Sequence, residues 1–403
     1  MYETHLNERK SFFDWPLLLA LLGLMSIGLA FIYSASFANE SMRDLVWFKQ
    51  LYVKQMVWYS IGLGLAGILC IFDYRTLSRW SLVGYWVSIL LLIAVMLFGT
   101  ERFGAKRWIM LGPFQMQPSE FAKIAFIFMM ANFLSRPKEE LRRGKVFFTA
   151  LGMIALPFLL ILKEPDLGSA LVFFPVGLLM MFVAGVPVMH LLKFVSGIAL
   201  LIVFILVEVL FVPLDSRFQL VKLENYQRHR LLTYFGKDFA PPNATEAERK
   251  QAKALQASKS YNVEQALISV GSGGLTGKGW QEGTQYSLGF LPRAVAHNDF
   301  IFSVIAEEKG FVGSVTVLTL YTIILFSGIK IASQARDRLG KILAVGVVAL
   351  LFSHIFINIG MNIRLMPVTG IPLPLLSYGG SSVLCSLIAI GILQNVHMYR
   401  RAY

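Results

Sequence analysis

One acidic residue stands where a polar stretch meets an apolar segment, and it is the first candidate for chemistry in this 403-residue chain. Asp299 lies within the glycine-rich stretch 271–313, directly before the apolar segment that starts at Phe300. A carboxylate within hydrogen-bond reach of a hydroxyl can remove its proton as a general base. Alternatively, Asn298 or Asp299 could cap the helix that starts at Phe300 by accepting a hydrogen bond from a free backbone N–H. The stretch alone does not decide between these two roles.

The composition is that of a polytopic membrane protein. Hydrophobic residues make up 56% of the chain and charged residues 15%, with a mean hydropathy of +0.62. A soluble domain has about 45–50% apolar and about 25% charged residues. The net charge of +13 is typical of cytoplasmic loops rich in Lys and Arg, and no basic-aromatic face points to nucleic acid. Cys70 and Cys385 both lie inside apolar runs, so we expect neither a disulfide nor a metal cluster.

Apolar runs long enough to cross a bilayer predict about ten transmembrane helices. Unbroken apolar runs without alternation are typical of helices rather than barrel strands, so the predicted fold is an all-α polytopic membrane protein. The first run is longer than the core of a signal peptide, and we expect it to stay as an uncleaved anchor. The fourth run is the weakest because it contains Glu120 and Lys123. The runs are 17–35, 56–72, 80–99, 118–134, 146–162, 167–189, 194–212, 300–329, 342–363 and 378–398.

Basic residues in the short loops predict that both termini face the cytoplasm. With the N-terminus inside, the cytoplasmic loops carry Arg75 and Arg79, the segment 135–145, a basic cluster at 330–341, and the C-terminal Arg400 and Arg401. We therefore expect a single integral membrane domain, 1–403. A large extracytoplasmic loop, 213–298, would then lie between helices seven and eight.

This topology places a group of charged residues on the outer side, where the positive-inside rule does not favour basic ones. A charge within the hydrocarbon costs about 2.5–3.5 kcal/mol on insertion scales, so such residues point to function. A local pair, for instance Glu120 with Lys123 at i,i+3 spacing, would explain any single one. Together they favour a polar cavity that opens to the outer leaflet. The group is Arg102, Lys106, Arg107, Glu120, Lys123, Lys163, Glu164, Asp166, Asp299 and Arg364.

Two outer connections are expected to fold over this cavity. The segment 366–382, MPVTGIPLPLLSYGGSS, is rich in proline and glycine, and non-helical backbone at membrane depth must be buried by protein or line water. In the long loop, the Ala- and charge-rich segment 239–260 predicts a short surface helix from Thr245. The stretch 271–292, with its aromatic residues, predicts a folded re-entrant element.

Several common chemistries are excluded by missing motifs. The segment GSGGLTGKGW lacks the Walker form and the context of a dinucleotide fingerprint, and the chain has no H-E-x-x-H, no Cys/His metal spacing and no G-x-S-x-G elbow. What remains is Asp299 beside cationic groups. A substrate with a lipid tail, a pyrophosphate and a hydroxyl nucleophile would suit a general base and fixed cations. These residues alone do not distinguish transfer from transport.

Six stretches make the chain resemble the SEDS family of bacterial envelope proteins (shape, elongation, division, sporulation), and within it RodA more than FtsW. The form GKGWQEGTQ is that of the elongation type. The stretches span all but the termini: DWPLLL…IYSAS (14–36), GAKRWIMLGPFQMQPSEFAKIA (104–125), KEPDLGSAL (163–171), GSGGLTGKGWQEGTQYSLGFLP (271–292), DFIFSVIAEEKGFVG (299–313) and MPVTGIPLPLLSYGGSS (366–382).

The resemblance implies a peptidoglycan glycosyltransferase that polymerises lipid II during cell elongation, on the outer face of the bacterial cytoplasmic (inner) membrane. It implies that Asp299, in the D-F-I-F motif, deprotonates the 4-hydroxyl of an acceptor N-acetylglucosamine. That oxygen then attacks the anomeric carbon of the donor N-acetylmuramic acid, and undecaprenyl pyrophosphate leaves. Inversion from an α-linked donor to a β-1,4 bond suits a single displacement.

The resemblance also implies a set of residues that bind substrate and organise the cavity. Lys123 is expected to keep Asp299 ionised, since a nearby opposite charge lowers the pKa of a carboxyl group. The chain departs from the family pattern P-E-x-H-T-D: it has PRAVAHNDF, with Arg293 for the acid, one extra residue, and Asn298 for threonine. The implied set is Arg107, Trp108, Glu120, Lys123, Lys163, Asp166, Gln285, His297, Ser377, Tyr378, Gly379 and Gly380.

The implied partners are a class B penicillin-binding transpeptidase, the lipid II substrate, other elongation-complex proteins and membrane lipids, with no nucleic acid. No cofactor is firmly implied and no metal ligands are predicted, although a divalent cation such as Mg²⁺ or Mn²⁺ could assist the pyrophosphate. A lipid II flippase, a division-type paralogue and a scaffold for the transpeptidase stay open as alternatives. A flippase would need polar groups on a path through the midplane. The clustering of charges on one side favours the enzyme.

Overall fold

The computed structural model describes residues 12–37, 46–102, 105–111, 114–211, 225–240 and 245–400. Within these ranges nine helices are long and apolar enough to cross a membrane, which confirms the predicted all-helical polytopic fold. These helices are Trp15–Ser36, Leu51–Ile71, Ser81–Phe98, Gly144–Lys163, Leu167–Ala184, Val188–Leu210, Ile301–Ser333, Arg338–Asn362 and Gly380–Met398.

The fourth of the predicted spans is not among these nine. It forms the 17-residue helix Pro118–Leu134, which carries the buried charged side chains of Glu120 and Lys123. Neighbouring helices surround it, chiefly Ser81–Phe98 and Arg338–Asn362. Because protein rather than lipid covers most of this helix, its two charged side chains are tolerated within the bundle.

Four helices lie near the candidate site. Helix α1 is Asn225–Phe235 and helix α2 is Glu246–Ser272, both in the long loop. Helix α3 is Ile301–Ser333 and helix α4 is Arg338–Asn362. The span Leu167–Ala184 consists of two helices, Leu167–Leu171 and Phe173–Ala184. The other helices are Trp15–Phe37, Leu51–Ile71, Tyr74–Arg79, Ser81–Phe98, Lys138–Leu141, Gly144–Lys163, Val188–Phe211, Thr284–Ser287, Arg293–Ala296 and Gly380–Met398, with a 3-10 turn at Trp47–Lys49.

Burial differs sharply between the spanning helices. Helix α4 and the last helix, Gly380–Met398, are enclosed by the rest of the chain. The helix Val188–Phe211 is almost wholly exposed, and its apolar side chains would therefore face lipid. The centre of the bundle is thus built around α4.

A small antiparallel sheet lies in the connection before Pro118, and the sequence analysis did not predict it. Its strands are β1 (Thr100–Arg102), β2 (Ala105–Leu111) and β3 (Phe114–Met116), in the order β1-β2-β3. Strand β2 carries two of the predicted site residues, Arg107 and Trp108. The sheet therefore positions Arg107.

The long loop is folded in its described parts, as predicted. Helix α2 begins after Thr245, whose side chain and that of Glu248 form a capping box. The helix continues to Ser272 and is much longer than the short surface helix that was expected. The non-helical segment 273–283 that follows it, called the glycine-rich turn below, hydrogen-bonds to the backbone of α3. Lys278 N donates to Glu307 O (3.0 Å), Gly279 N donates to Glu308 O (3.2 Å), and Phe311 N of α3 donates to Gly274 O (2.9 Å).

Helix α3 is broken at Gly310, where the glycine-rich turn meets it. Gly310 has φ 61° and ψ −154°, and a Cβ at this position would lie 2.4 Å from Gly277 N. Only glycine combines this backbone conformation with so close a contact. The two parts of α3 together have 33 residues, which at 1.5 Å per residue add up to about 50 Å of helix, whereas the hydrocarbon core is about 30 Å thick. Part of α3 therefore extends beyond the bilayer.

Asp337 secures the other end of the bundle, where α4 begins. Its carboxylate accepts hydrogen bonds from Gly340 N (2.8 Å), Tyr74 Oη (2.9 Å) and Arg75 Nε (2.7 Å). Partial burial raises the pKa of Asp337, but the hydrogen bonds from Gly340, Arg75 and Tyr74 outweigh it and leave the pKa below its usual value. Asp337 is thus a helix cap whose two carboxylate oxygens both accept hydrogen bonds.

Candidate functional site

Asp299 lies in the turn that connects the one-turn helix Arg293–Ala296 to α3. The N-cap of α3 is Phe300, and no side chain accepts a capping hydrogen bond there. The interpretation of Asn298 or Asp299 as a helix cap is therefore wrong. The carboxylate of Asp299 is not used to terminate a helix.

The backbone around Asp299 is held from outside its own segment. Three successive carbonyl groups, those of residues 297–299, accept hydrogen bonds from the segment 366–382 and from α4. A backbone held at three consecutive peptides fixes the direction of the side chain it carries. The bonds run from Tyr378 N to His297 O (2.9 Å), from Ser377 Oγ to Asn298 O (2.6 Å), and from Asn358 Nδ2 (3.0 Å) and Asn362 Nδ2 (3.1 Å) to Asp299 O.

The predicted role of the segment 366–382 agrees with these contacts. Its backbone is non-helical up to Gly380, and protein buries much of it, including Ile371, Leu373 and Leu375. A Cβ built on Gly370 would lie 3.6 Å from Asp299 Oδ2, so this segment forms a wall beside the carboxylate.

The carboxylate itself receives no hydrogen bond from the residues that the structure describes. Burial raises the pKa of Asp299 to about 6; Arg107 and Arg230 lower this pKa, whereas Asp166 raises it. With a pKa of about 6, Asp299 is mostly ionised at pH 7. A desolvated, ionised carboxylate with an unfilled hydrogen-bonding capacity is suited to accept a proton.

Arg107 joins strand β2 to the turn at 164–166. Its guanidinium donates to Glu164 O (Nε, 3.1 Å) and to Pro165 O, and lies 3.9 Å from Asp166 Oδ2. Asp166 in turn caps the helix Leu167–Leu171 and accepts a hydrogen bond from Gln117 Nε2 (3.1 Å). This network places a cation and a carboxylate in the electrostatic field of Asp299.

Glu164 adds a neutral carboxyl group to the same region. Burial and the nearby Asp166 raise the pKa of Glu164 to about 8, although Arg107 acts in the opposite direction. Glu164 is therefore mostly protonated at pH 7.

Arg230 was missed by the sequence analysis. It lies on α1, which is anchored beside the C-terminal end of α4 by a hydrogen bond from Tyr234 Oη to Leu365 O (3.0 Å). Its charge lowers the pKa of Asp299, although 69 residues separate the two in the sequence. The available signal was the basic pattern Arg-His-Arg at 228–230 in the long loop, since guanidinium groups are suited to bind an anionic substrate.

Lys123 does not take the position expected of it. Its ammonium group lies 2.7 Å from Glu120 Oε1 and 2.9 Å from His354 Nε2, and all three side chains are buried in the bundle. The alternative of a local i,i+3 pair with Glu120 is confirmed. The cations that lower the pKa of Asp299 are Arg107 and Arg230, with Lys123 not among them, and the net shift is upward.

The remaining predicted site residues fall into different places. His297 is buried, and its ring packs edge-on against Tyr378 with 5.7 Å between the ring centroids. Gln285 lies in the short helix Thr284–Ser287, and its backbone N donates to Glu307 Oε1 of α3 (2.8 Å). Lys163 is exposed and Trp108 is half-buried. Gly379 N donates to Gln55 Oε1 (3.4 Å), and Gly380 starts the last helix against the ring of Trp58.

The described residues contain no group of three or more His, Cys, Asp or Glu side chains that could hold a metal ion. Cations at the site are instead contributed by Arg107 and Arg230. Guanidinium groups bind phosphate oxygens through paired N–H donors. The site can therefore combine a proton acceptor with anion-binding groups.

Comparisons with known proteins agree on one family. The family described as "Cell cycle protein" (FTSW_RODA_SPOVE) matches residues 15–402. The peptidoglycan glycosyltransferase MrdB of Escherichia coli is 34% identical over 395 residues, covering 97% of this chain and 95% of that protein. The peptidoglycan glycosyltransferase RodA of Treponema pallidum is 35% identical over 431 residues, covering 96% and 97%.

A solved structure has the same fold. It belongs to a study of a peptidoglycan synthase complex that coordinates polymerization and crosslinking, and it superimposes with a TM-score of 0.75 at 28% identity. The superposition covers 96% of this chain and 98% of that one. With a family match over nearly the whole chain and relatives above 30% identity at full coverage, this chain belongs to the SEDS family, the FtsW/RodA/SpoVE group of cell cycle proteins.

Proposed function

We propose that this protein is a peptidoglycan glycosyltransferase that polymerises lipid II into glycan strands, with Asp299 as the general base. The observation that carries the proposal is the contrast within one residue: the backbone of Asp299 is held at 297–299, while its carboxylate receives no hydrogen bond from the described residues. The names of the full-length relatives support the reaction class.

The proposed reaction is a single displacement at the donor sugar. The carboxylate of Asp299 takes the proton of the 4-hydroxyl of an acceptor N-acetylglucosamine. The freed electron pair of that oxygen forms the new bond to the anomeric carbon of the donor N-acetylmuramic acid. The bond from this carbon to the pyrophosphate oxygen breaks, and undecaprenyl pyrophosphate leaves with the electron pair.

The leaving group needs positive charge rather than a proton donor. Arg107 and Arg230 are the cations whose charge acts on Asp299, and we assign them to the pyrophosphate. Bringing a dianionic group between them would also draw their charge away from Asp299. The pKa of Asp299 would then rise in the substrate complex, which makes it a stronger base when substrate is present.

We place the site on the outer face of the bacterial cytoplasmic membrane, with both termini inside. The Lys and Arg distribution in the short loops supports this orientation. The GKGWQEGTQ form supports a role in elongation rather than division. We propose a class B penicillin-binding transpeptidase as partner, because the solved relative belongs to a complex that couples polymerization to crosslinking.

A lipid II polymerisation assay tests the proposal. Purified protein with its transpeptidase partner is expected to convert lipid II into glycan strands, and Asp299→Asn is expected to abolish this while the protein stays folded. Asp337→Asn is the matched control, because it makes the same chemical change at the other end of the bundle. Strand synthesis at the normal rate by Asp299→Asn would overturn the proposal.

Two further arms separate the alternatives. If lipid II is scrambled between the leaflets of liposomes by the Asp299→Asn protein but is never polymerised by wild type, the protein is a flippase. If polymerisation depends on the transpeptidase alone, the chain is a scaffold. Repeating the wild-type assay in EDTA measures what a divalent cation such as Mg²⁺ or Mn²⁺ contributes.

A further inference from the structure

Two asparagines of helix α4 make the contacts that hold the backbone of Asp299. Asn358 and Asn362 are one helical turn apart, fully buried, and both donate to the same acceptor, Asp299 O. Buried amides are costly in a membrane helix unless their hydrogen bonds are satisfied, and here the bonds are directed at one residue. Neither residue belongs to the set that the sequence analysis selected.

Asn358 connects Asp299 to a second part of the site. Its Nδ2 also donates to Ile371 O at 2.7 Å, within the segment 366–382 that forms the wall beside the carboxylate. One amide group therefore joins the turn of Asp299 to this wall. A displacement of either part would break its hydrogen bond to Asn358.

Asn362 connects the same acceptor to helix α3. Its Nδ2 donates to Asn358 O at 2.8 Å as well as to Asp299 O, and its Oδ1 accepts from Ser303 Oγ at 2.6 Å. Ser303 lies in the first turn of α3, directly after the aspartate. The two asparagines thus fix Asp299 against α4, α3 and the 366–382 segment at once.

We propose that Asn358 and Asn362 are positioning residues for the reaction: they aim the carboxylate of Asp299 by holding its peptide, without touching substrate. This inference rests on the proposed function, in which Asp299 is the base. A displacement of about 1 Å at a reacting group can cost about 100-fold in rate. The side chain of Asp299 has no hydrogen bond from the described residues to correct such a displacement.

The test uses Asn358→Leu, which preserves size and branching but removes the donor. We expect kcat for lipid II polymerisation to fall 10- to 100-fold while KM changes less than twofold. The midpoint of the kcat–pH profile is expected to move, because a displaced carboxylate is in a different environment from the wild-type one. A loss of folded protein would lower the amount of active enzyme but would leave this midpoint in place.

Ser353→Ala is the matched control. Ser353 is buried on the same helix, and its hydroxyl donates to Ala349 O of that helix (2.7 Å). This variant removes a polar group from α4 without changing a contact to Asp299. Its kcat, KM and pH midpoint are expected to equal those of wild type.

If Asn358→Leu cannot be obtained folded, Asn362→Leu takes its place, since it keeps both hydrogen bonds that Asn358 donates, to Asp299 O and to Ile371 O. A folded variant with wild-type kcat and pH midpoint overturns the inference, and so does failure of both variants to fold, because the role would then be structural. An active Asp299→Asn protein would instead overturn the proposed function. An inactive Asp299→Asn protein beside a fully active Asn358→Leu protein overturns the positioning role alone.

Discussion

A carboxylate lies beside each end of helix α4, and the two differ in how many hydrogen bonds their oxygens accept. Asp337 caps its first turn and accepts three hydrogen bonds, and its pKa is lowered. Asp299 is bonded to its last turn only through the peptide carbonyl, and its pKa is raised to about 6. The 25 residues between them span about 37 Å. Asp337 therefore has a structural role because its oxygens accept hydrogen bonds from the protein. The carboxylate of Asp299 accepts none from the described residues and is free to accept a proton.

The largest difference between the two ends is expected from matched Asp→Asn changes. Asp299→Asn removes the proton acceptor, and a general base contributes about 10²- to 10⁴-fold, so polymerisation should fall by at least 100-fold. Asp337→Asn should leave the rate per folded molecule unchanged. Single-turnover polymerisation of lipid II measures both. Equal losses in the two variants would remove the functional distinction between the ends.

Arg107→Gln is expected to have the next largest effect. It removes a cation that lowers the pKa of Asp299, so the pH midpoint of the reaction should rise above that of wild type. It also removes charge that we assign to the leaving group, and we expect the rate to fall about 10- to 100-fold. The pH–rate profile with lipid II measures both changes. The proposed role of Arg107 is contradicted by a midpoint that stays in place or moves down.

Much of this site could be predicted from sequence, because its signals are local. Asp299 stands at the boundary between a polar stretch and an apolar helix, and the 366–382 segment has a composition that only a buried or cavity-lining backbone tolerates. The apolar runs give the helices directly. The glycine-rich turn was identified as folded because its length and aromatic residues do not suit a loose connection.

The missed contacts are those between distant segments. The bonds from Asn358 and Asn362 to Asp299 span 59 and 63 residues, and nothing local indicates which helix face meets which turn. Two amides at i,i+4 in an apolar helix were a usable signal. Lys123 was misplaced in part for the same reason, since its ammonium group contacts the distant His354. Its pair with the i,i+3 neighbour Glu120 was the local alternative that the sequence did offer.

At the Asp337 end, Asp337→Ala should affect stability rather than rate. It removes the N-cap of α4 and the acceptor for Arg75, and loss of an N-cap costs about 0.5–2 kcal/mol. The thermal unfolding midpoint in detergent should fall, while turnover per folded molecule stays at the wild-type value. A loss of turnover without a loss of stability would show that this end also takes part in the chemistry.

The smallest effect is expected in the long loop, away from both ends of α4. Thr245→Ala removes the capping box at the exposed start of helix α2, which should cost about 1 kcal/mol of local helix stability. Hydrogen exchange of the first turns of α2 should become faster, with no change in polymerisation. A change in polymerisation rate would show that helix α2 takes part in the reaction.

The pH–rate profile of single-turnover lipid II polymerisation tests the central claim most directly. Because a base must be deprotonated to act, the wild-type rate should fall tenfold per pH unit below a midpoint near 6 and level off above it. The residual rate of Asp299→Asn should lack this dependence. The same acid limb in both proteins would show that another group titrates, and that Asp299 is not the base.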